Sequence, residues 1–151
     1  MINAQNTKIV DIGFAEALID NASLTTAAVD LKGWDYCQVF VRVGTTDIAM
    51  TACKIQDCDT SGGSYSDVTG LIWGTSENSA GSTSTLPSAT DDGSYFVFDI
   101  DCRKVDRFID LVATNGDGTA GGFLSAFAIL SRGESTPVTA SERGAAEILR
   151  I

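Results

Sequence analysis

The amino-acid sequence predicts an all-β protein, an antiparallel β sandwich of the jelly-roll kind with about seven or eight strands and extended termini. Three observations predict it. Several separate runs alternate apolar and polar residues with a period of two, the pattern of a strand with one buried face. Clusters of Gly, Asp, Asn, Ser and Thr stand between those runs, where turns need them. No stretch carries a clear, long helical stripe. The strand count fits a jelly roll better than a small open barrel.

The elements follow in order. Residues 17–32, ALIDNASLTTAAVDLK, are rich in Thr, Ala and aliphatics and read as a first extended segment, closed by a turn at Gly33. Residues 36–43, YCQVFVRV, form the clearest strand, alternating and β-branched. The short connection 44–47 predicts a hairpin to a partner strand over residues 48–56. The run DCDTSGGSYSDV is a turn, and residues 68–73 form a short strand. Residues 75–93 hold almost no large apolar side chain and read as a long surface loop. Strands resume at 94–101 and 107–114, separated from the last one, 122–130, by the turn Asn115-Gly-Asp-Gly118. GFLSAFAIL is apolar on nearly both faces, so it is a central strand or one that touches a partner subunit. The predicted core is Val39, Val41, Phe96, Phe98, Ile109, Leu111, Phe127 and Ile129. The domain therefore spans residues 17–132, between an N-terminal arm, 1–16, and a C-terminal arm, 133–151. The second arm is either a short helix capped by Ser141, carrying Ala145, Ile148 and Leu149, or an extended tail.

Bulk properties narrow the function. The chain has 151 residues, the size of one domain, with 10 basic against 20 acidic side chains and a net charge of −10. Polyphosphate repels such a surface, so nucleic acid is not an expected partner. No segment approaches the roughly 20 apolar residues that span a bilayer, and no membrane partner is expected. The opening MINAQNTKIVDIGF lacks a basic stretch followed by a long apolar run and does not read as a signal peptide. Folding in a reducing cytoplasm is the expectation.

The chemistry-bearing residues point away from catalysis. There is no histidine. No nucleophile elbow, P-loop or dinucleotide fingerprint occurs. Cys37, Cys53, Cys58 and Cys102 include no C-x-x-C pair. Cys37 shares alternation parity with Val39, Val41 and Val43, and Cys102 with Phe96, Phe98 and Ile100, the placement of buried free thiols. A Cys37–Cys102 disulfide is the alternative, and a four-thiolate zinc site a remote one. Asp99 and Asp101 share one strand face and are candidates for paired carboxylate work, but alternating acids also suit a wet face. Asp57, Asp59, Ser61 and Gly62 resemble half of a calcium loop, but Val68 stands where the bidentate Glu belongs, so a turn is expected there, as at Asn115 and Asp117. Trp34, Tyr36, Tyr65, Trp73 and Tyr95 are candidates for a sugar-binding platform, or else core edges and interface anchors. No enzyme activity, cofactor or metal is expected. The apolar surplus lies elsewhere, in Ile9, Ile12 and Phe14, in Phe123 and Phe127, and in Ile148, Leu149 and Ile151. Those residues are the candidate interface.

The sequence also resembles a known group. The runs that carry the likeness are AVDLKGW (28–34), VFVRVG (39–44), IQDCDT (55–60), YSDVTG (65–70), RFIDLV (107–112) and FAILSR (127–132). These are similar to small jelly-roll proteins encoded among the head genes of tailed bacteriophages, some of which are capsid decoration, or cement, proteins. The resemblance covers residues 24–132. It implies a homotrimer on the outer surface of the virion capsid, with the major capsid protein as partner and no catalytic residue. Two other classes remain open. One is a carbohydrate- or receptor-binding module of a virion fibre; the other is a minor head or tail structural protein.

Overall fold

The computed structural model describes residues 6–135 and 139–149. Eight strands form two antiparallel four-stranded sheets. They are β1 (Thr7–Phe14), β2 (Val29–Asp30), β3 (Trp34–Thr46), β4 (Ala52–Cys58), β5 (Ser66–Ile72), β6 (Tyr95–Asp101), β7 (Phe108–Thr114) and β8 (Gly122–Gly133). A 3-10 turn, Cys102–Lys104, follows β6. The first sheet runs β1-β8-β3-β6 and the second β2-β7-β4-β5. Strand one pairs with eight, two with seven, three with six and four with five. That nested pairing is one long hairpin rolled into two layers, the topology of a jelly roll.

Alternation places the core. On β3, Cys37, Val39, Val41 and Val43 point between the sheets, fully buried. Phe98 and Ile100 of β6, Cys53 and Ile55 of β4, and Ile109, Leu111 and Ala113 of β7 meet them there. Each fully buried aliphatic contributes on the order of 1.5–3 kcal/mol.

Several expectations are corrected. Residues 7–14 are not an arm: TKIVDIGF pairs with β8 along its length. A bulge between Asp11 and Gly13 shifts the register, and Ile12 enters the core at 3% exposure. Gly13 is needed there, because a Cβ would come within 2.5 Å of the Thr25 carbonyl oxygen. Residues 17–32 are mostly irregular. They follow the domain through isolated bridges, Ile19 to Gly122 and Ser23 to Thr114, with only Val29–Asp30 as strand. The 36–43 and 48–56 strands do not make a hairpin; the connection crosses from one sheet to the other. On β8 the inward residues are Leu124, Ala126, Ala128 and Leu130, so Phe127 and Ile129 lie on the outside. Phe96 is half-buried near the sheet edge, packed on Trp73 at 5.1 Å.

The 75–93 loop is anchored after all. Pro87 is fully buried, Leu86 packs against the core, and the Pro87 carbonyl accepts from Met50 N at 2.8 Å. Beyond β8, residues 139–145 form one turn. Thr139 Oγ1 accepts from Glu142 N at 3.2 Å while the Glu142 carboxylate accepts from Thr139 N at 2.9 Å, a capping box. The cap is thus Thr139 and not Ser141. This turn lies on the free side of β1, where Ile9 N donates to the Arg143 carbonyl at 2.9 Å.

Candidate functional site

The feature that stands out is the outer face of the first sheet. The strand registers stack its residues into rows that run β1, β8, β3, β6. One row is Asp11, Phe127, Phe40 and Val97; its neighbours are Ile9, Ile129, Gln38 and Asp99 on one side, and Phe14, Ser125, Arg42 and Tyr95 on the other. Phe40 and Phe127 stack nearly parallel, with centroids 5.0 Å apart. Around them Ile9 is 48% exposed, Phe14 69%, Phe123 41% and Tyr95 52%. At roughly 4.8 Å per strand and 3.3 Å per residue, four strands of about seven residues make a face of some 19 by 23 Å. The apolar part of that face is the Phe40–Phe127 stack with Ile9, Phe14, Val97, Phe123 and Ile129 around it, interrupted by Asp11, Gln38, Arg42, Asp99 and Ser125. Exposed aromatic and aliphatic side chains grouped in this way mark an interaction site.

Polar groups rim the patch. The Arg42 guanidinium lies over Tyr95 and that of Arg132 over Tyr36, at 5.6 and 5.1 Å from the ring centres. Gln38 donates to Asp99 at 2.8 Å. The rim is therefore wet and mixed in charge, around an apolar centre, the anatomy of a protein–protein contact.

Of the sequence-predicted interface residues, Ile9, Phe14, Phe123 and Phe127 gather on this one face. Ile12 does not, since it is core. Ile148 is half-buried and Leu149 is 91% exposed in the C-terminal segment. Ile151 lies outside the described residues. The sequence reading missed Phe40, Val97 and Ile129 as members of the face. Phe40 and Val97 stand out of phase with the buried residues beside them, which was the available signal.

The other candidate clusters separate. Asp101 is taken up by Arg103, whose Nε and Nη2 each donate to it at 2.8 Å, while Asp99 accepts from Gln38. Asp57 accepts from Asp106 N at 2.9 Å, fixing the start of β7. Among the described residues, no three metal-ligating side chains gather. Of the five aromatics, only Trp73 and Tyr95 line a common cleft, between the β5 and β6 edges. The Trp73 Nε1 donor there is buried without a hydrogen-bond partner, a state that costs about 1–3 kcal/mol.

The four thiols are free. Burial pushes Cys37 and Cys53 up to about 12, so neither supplies thiolate at neutral pH. Alkylation in denaturant without reductant should label all four cysteines. Under native conditions the half-buried Cys58 and Cys102 should react before the buried Cys37 and Cys53. Fewer than four labels in denaturant would mean a disulfide.

Several carboxylates titrate low. Hydrogen bonds from Arg103 hold Asp101 down to about 2, from the usual 3.8. The Arg107 side chain lowers Asp30, the Ala120 amide Asp47, and the Lys54 side chain Asp67. Asp106 is raised, chiefly by desolvation and then by Asp59 and Asp57. A depressed carboxylate stabilises the fold above its unfolded value and loses that contribution as pH falls through its folded value. The urea midpoint should therefore fall between about pH 4 and pH 2, and Asp101→Asn should flatten the drop. A midpoint that stays level across that window contradicts the assignment.

No protein-family model, curated protein or solved structure matches the chain.

Proposed function

We propose that the protein is an assembly subunit: a capsid decoration protein of a tailed bacteriophage that associates as a homotrimer and attaches to the major capsid protein on the outside of the shell. The observation that carries this is the apolar outer face of the β1-β8-β3-β6 sheet. A sandwich buries its inner faces against each other and needs no phenylalanine outside. Here Phe14, Phe40, Phe123 and Phe127 all lie there. The jelly-roll topology, the resemblance to phage head proteins and the net charge of −10, which keeps free copies apart, support the same reading. Leu149, standing out from the C-terminal segment, is a second contact within reach of a neighbour.

The test has two parts. Light scattering should give a mass near three chains, and the protein should bind undecorated shells at a fixed ratio. Phe127→Asp, on the outside of the sheet, should leave the circular dichroism unchanged and abolish both. A folded monomer that ignores shells ends the proposal, and a hit on a glycan array would favour a receptor-binding module.

A further inference from the structure

We propose that the free edge of β6 accepts an extended, non-acidic peptide segment, which joins the first sheet as a fifth strand. The edge uses the backbone of Tyr95, Val97 and Asp99, whose side chains also belong to the outer face of the sheet, but the proposal does not depend on what that face binds.

The pairing parity shows which backbone groups are open. Val43 N donates to the Ser94 carbonyl at 3.0 Å and Gly93 N to the Val43 carbonyl at 2.9 Å, so Val43 turns its peptide groups toward β6. Alternation carries that direction to Val41, Val39 and Cys37, opposite Phe96, Phe98 and Ile100. Tyr95, Val97 and Asp99 then point their N–H and C=O groups away from β3. Among the described residues nothing pairs with them.

Exposed strand edges invite pairing, and natural sheets blunt them. Three of the four edges here are blunted. The C-terminal turn covers β1 through the Arg143 carbonyl. The β2 edge is 2 residues long. The β5 strand has a register break opposite β4 and Gly70 at φ 92°. The β6 strand, YFVFDID, is seven residues without Lys, Arg, Pro or Gly, its only charges being Asp99 and Asp101, and among the described residues no strand pairs with its outer edge.

The surroundings fit a single extended chain. A cleft of about 530 Å³ runs along this edge, and the consecutive residues 95–99 line it. A strand that borders a groove with its face shows alternate residues; consecutive ones mean that the groove meets its edge. Leu71 and Trp73 form the far wall, and the loop at Glu77 and Asn78 stands beside the slot, leaving room for a peptide more readily than for a whole second sandwich. Strand addition of this kind draws affinity from main-chain bonds and specificity from pockets for alternate side chains. The apolar pocket here is Trp73 with Phe96. No Lys or Arg lines the cleft, while Glu77 and Asp99 do. The preferred occupant is neutral or basic, with alternating apolar side chains.

The probe is an acetylated, amidated Lys-Thr-Val-Thr-Val-Thr-Lys peptide, read by amide hydrogen exchange on the full chain. Saturating peptide should slow exchange at Tyr95, Val97 and Asp99 by roughly tenfold or more, the scale of one hydrogen bond, and leave Phe96 and Phe98 as they are. Val97→Pro removes only an outward donor, which an edge strand tolerates, and should weaken binding about tenfold or more. A peptide N-methylated at alternate residues should fail to bind, without any change to the protein. Replacing the two Lys with Asp should also weaken it. The proposal is overturned if the three amides do not slow at millimolar peptide, if N-methylation makes no difference, or if the same amides slow with protein concentration alone, which would mean edge-to-edge pairing of two copies.

Discussion

Phe98→Ala is expected to destabilise the protein by roughly 3–5 kcal/mol, the range for removing a buried aromatic side chain. Phe98 lies on the inner face of β6 at 4% exposure, opposite Val39 of β3. Trp73 meets its ring edge-on, with centroids 6.0 Å apart. Removing the ring opens a void where the two sheets meet beside the β5–β6 cleft. Neighbours on strands cannot collapse into it without losing ladder pairing, so the cavity contribution should persist. At about 2–4 °C per kcal/mol for a chain of this size, the melting temperature should drop by roughly 10 °C. Phe96→Ala is the comparison. Phe96 is half-buried and borders the cleft, so its loss should cost distinctly less. Urea unfolding with unchanged slope checks both. A change at Phe98 below about 1 kcal/mol would mean that the site repacks and is not a full core position.

Much of this arrangement was legible because period-two patterning survives wherever one face of a strand is buried. YCQVFVRV and RFIDLVAT carry apolar residues at every second position, even though Phe40, Phe108 and Val112 add apolar side chains on the other face, and their inward residues are the ones expected. The pattern failed where physics made it ambiguous. In TKIVDIGF a bulge between Asp11 and Gly13 turns Phe14 outward although Ile12, two residues before it, points inward, so the strand reads as irregular. In GFLSAFAIL both faces are apolar. The larger side chains, Phe127 and Ile129, looked like core, whereas Ala126 and Ala128 are the residues inside. Small residues fit where strands cross closely, a fact of tertiary packing that no local window contains. That reversal created the candidate face. Had Phe127 been core, the surplus on the outer side of the sheet would have disappeared. Sheet membership was also invisible: a short Gly-Thr-Thr-Asp connection is as compatible with a hairpin as with a step between layers.

In the proposed assembly the apolar face and the acidic charge would work together. A protein with an exposed apolar patch and little net charge associates without selection. With −10 per copy, random collisions between copies are opposed, and only a contact that buries the patch against a complementary surface repays the repulsion. Association should therefore strengthen as salt rises, because screening removes the opposing charge while the apolar contact remains. This distinguishes it from an interface built on ion pairs, which salt would weaken.

Asn115→Ala is expected to cost about 2–3 kcal/mol, large for a residue in a turn. Its side chain is 1% exposed. Its Nδ2 donates to the Ile19 carbonyl at 3.0 Å and to the Gly122 carbonyl at 3.3 Å, and its backbone N donates to the Ala22 carbonyl at 3.0 Å. One residue thereby ties the irregular 19–22 segment to the start of β8 and the end of β7. Ile19 and Gly122 also bond each other through both backbone groups at 2.9 Å, so their carbonyls keep one partner after the change. The expected cost is two lost hydrogen bonds at roughly 0.5–1.5 kcal/mol each, plus a small void. The buried Oδ1 has no partner, so its removal returns part of that. Asn115→Asp should be worse than Ala, because it replaces the donor with a buried charge facing two carbonyl oxygens. The sequence pattern Asn-Gly-Asp-Gly marks a turn, and a turn former at its first position usually tolerates exchange for Ser or Asp. An Asn115→Asp variant as stable as the parent in urea would mean that Asn115 is only a turn former and that the 19–22 segment is held by its backbone bonds alone.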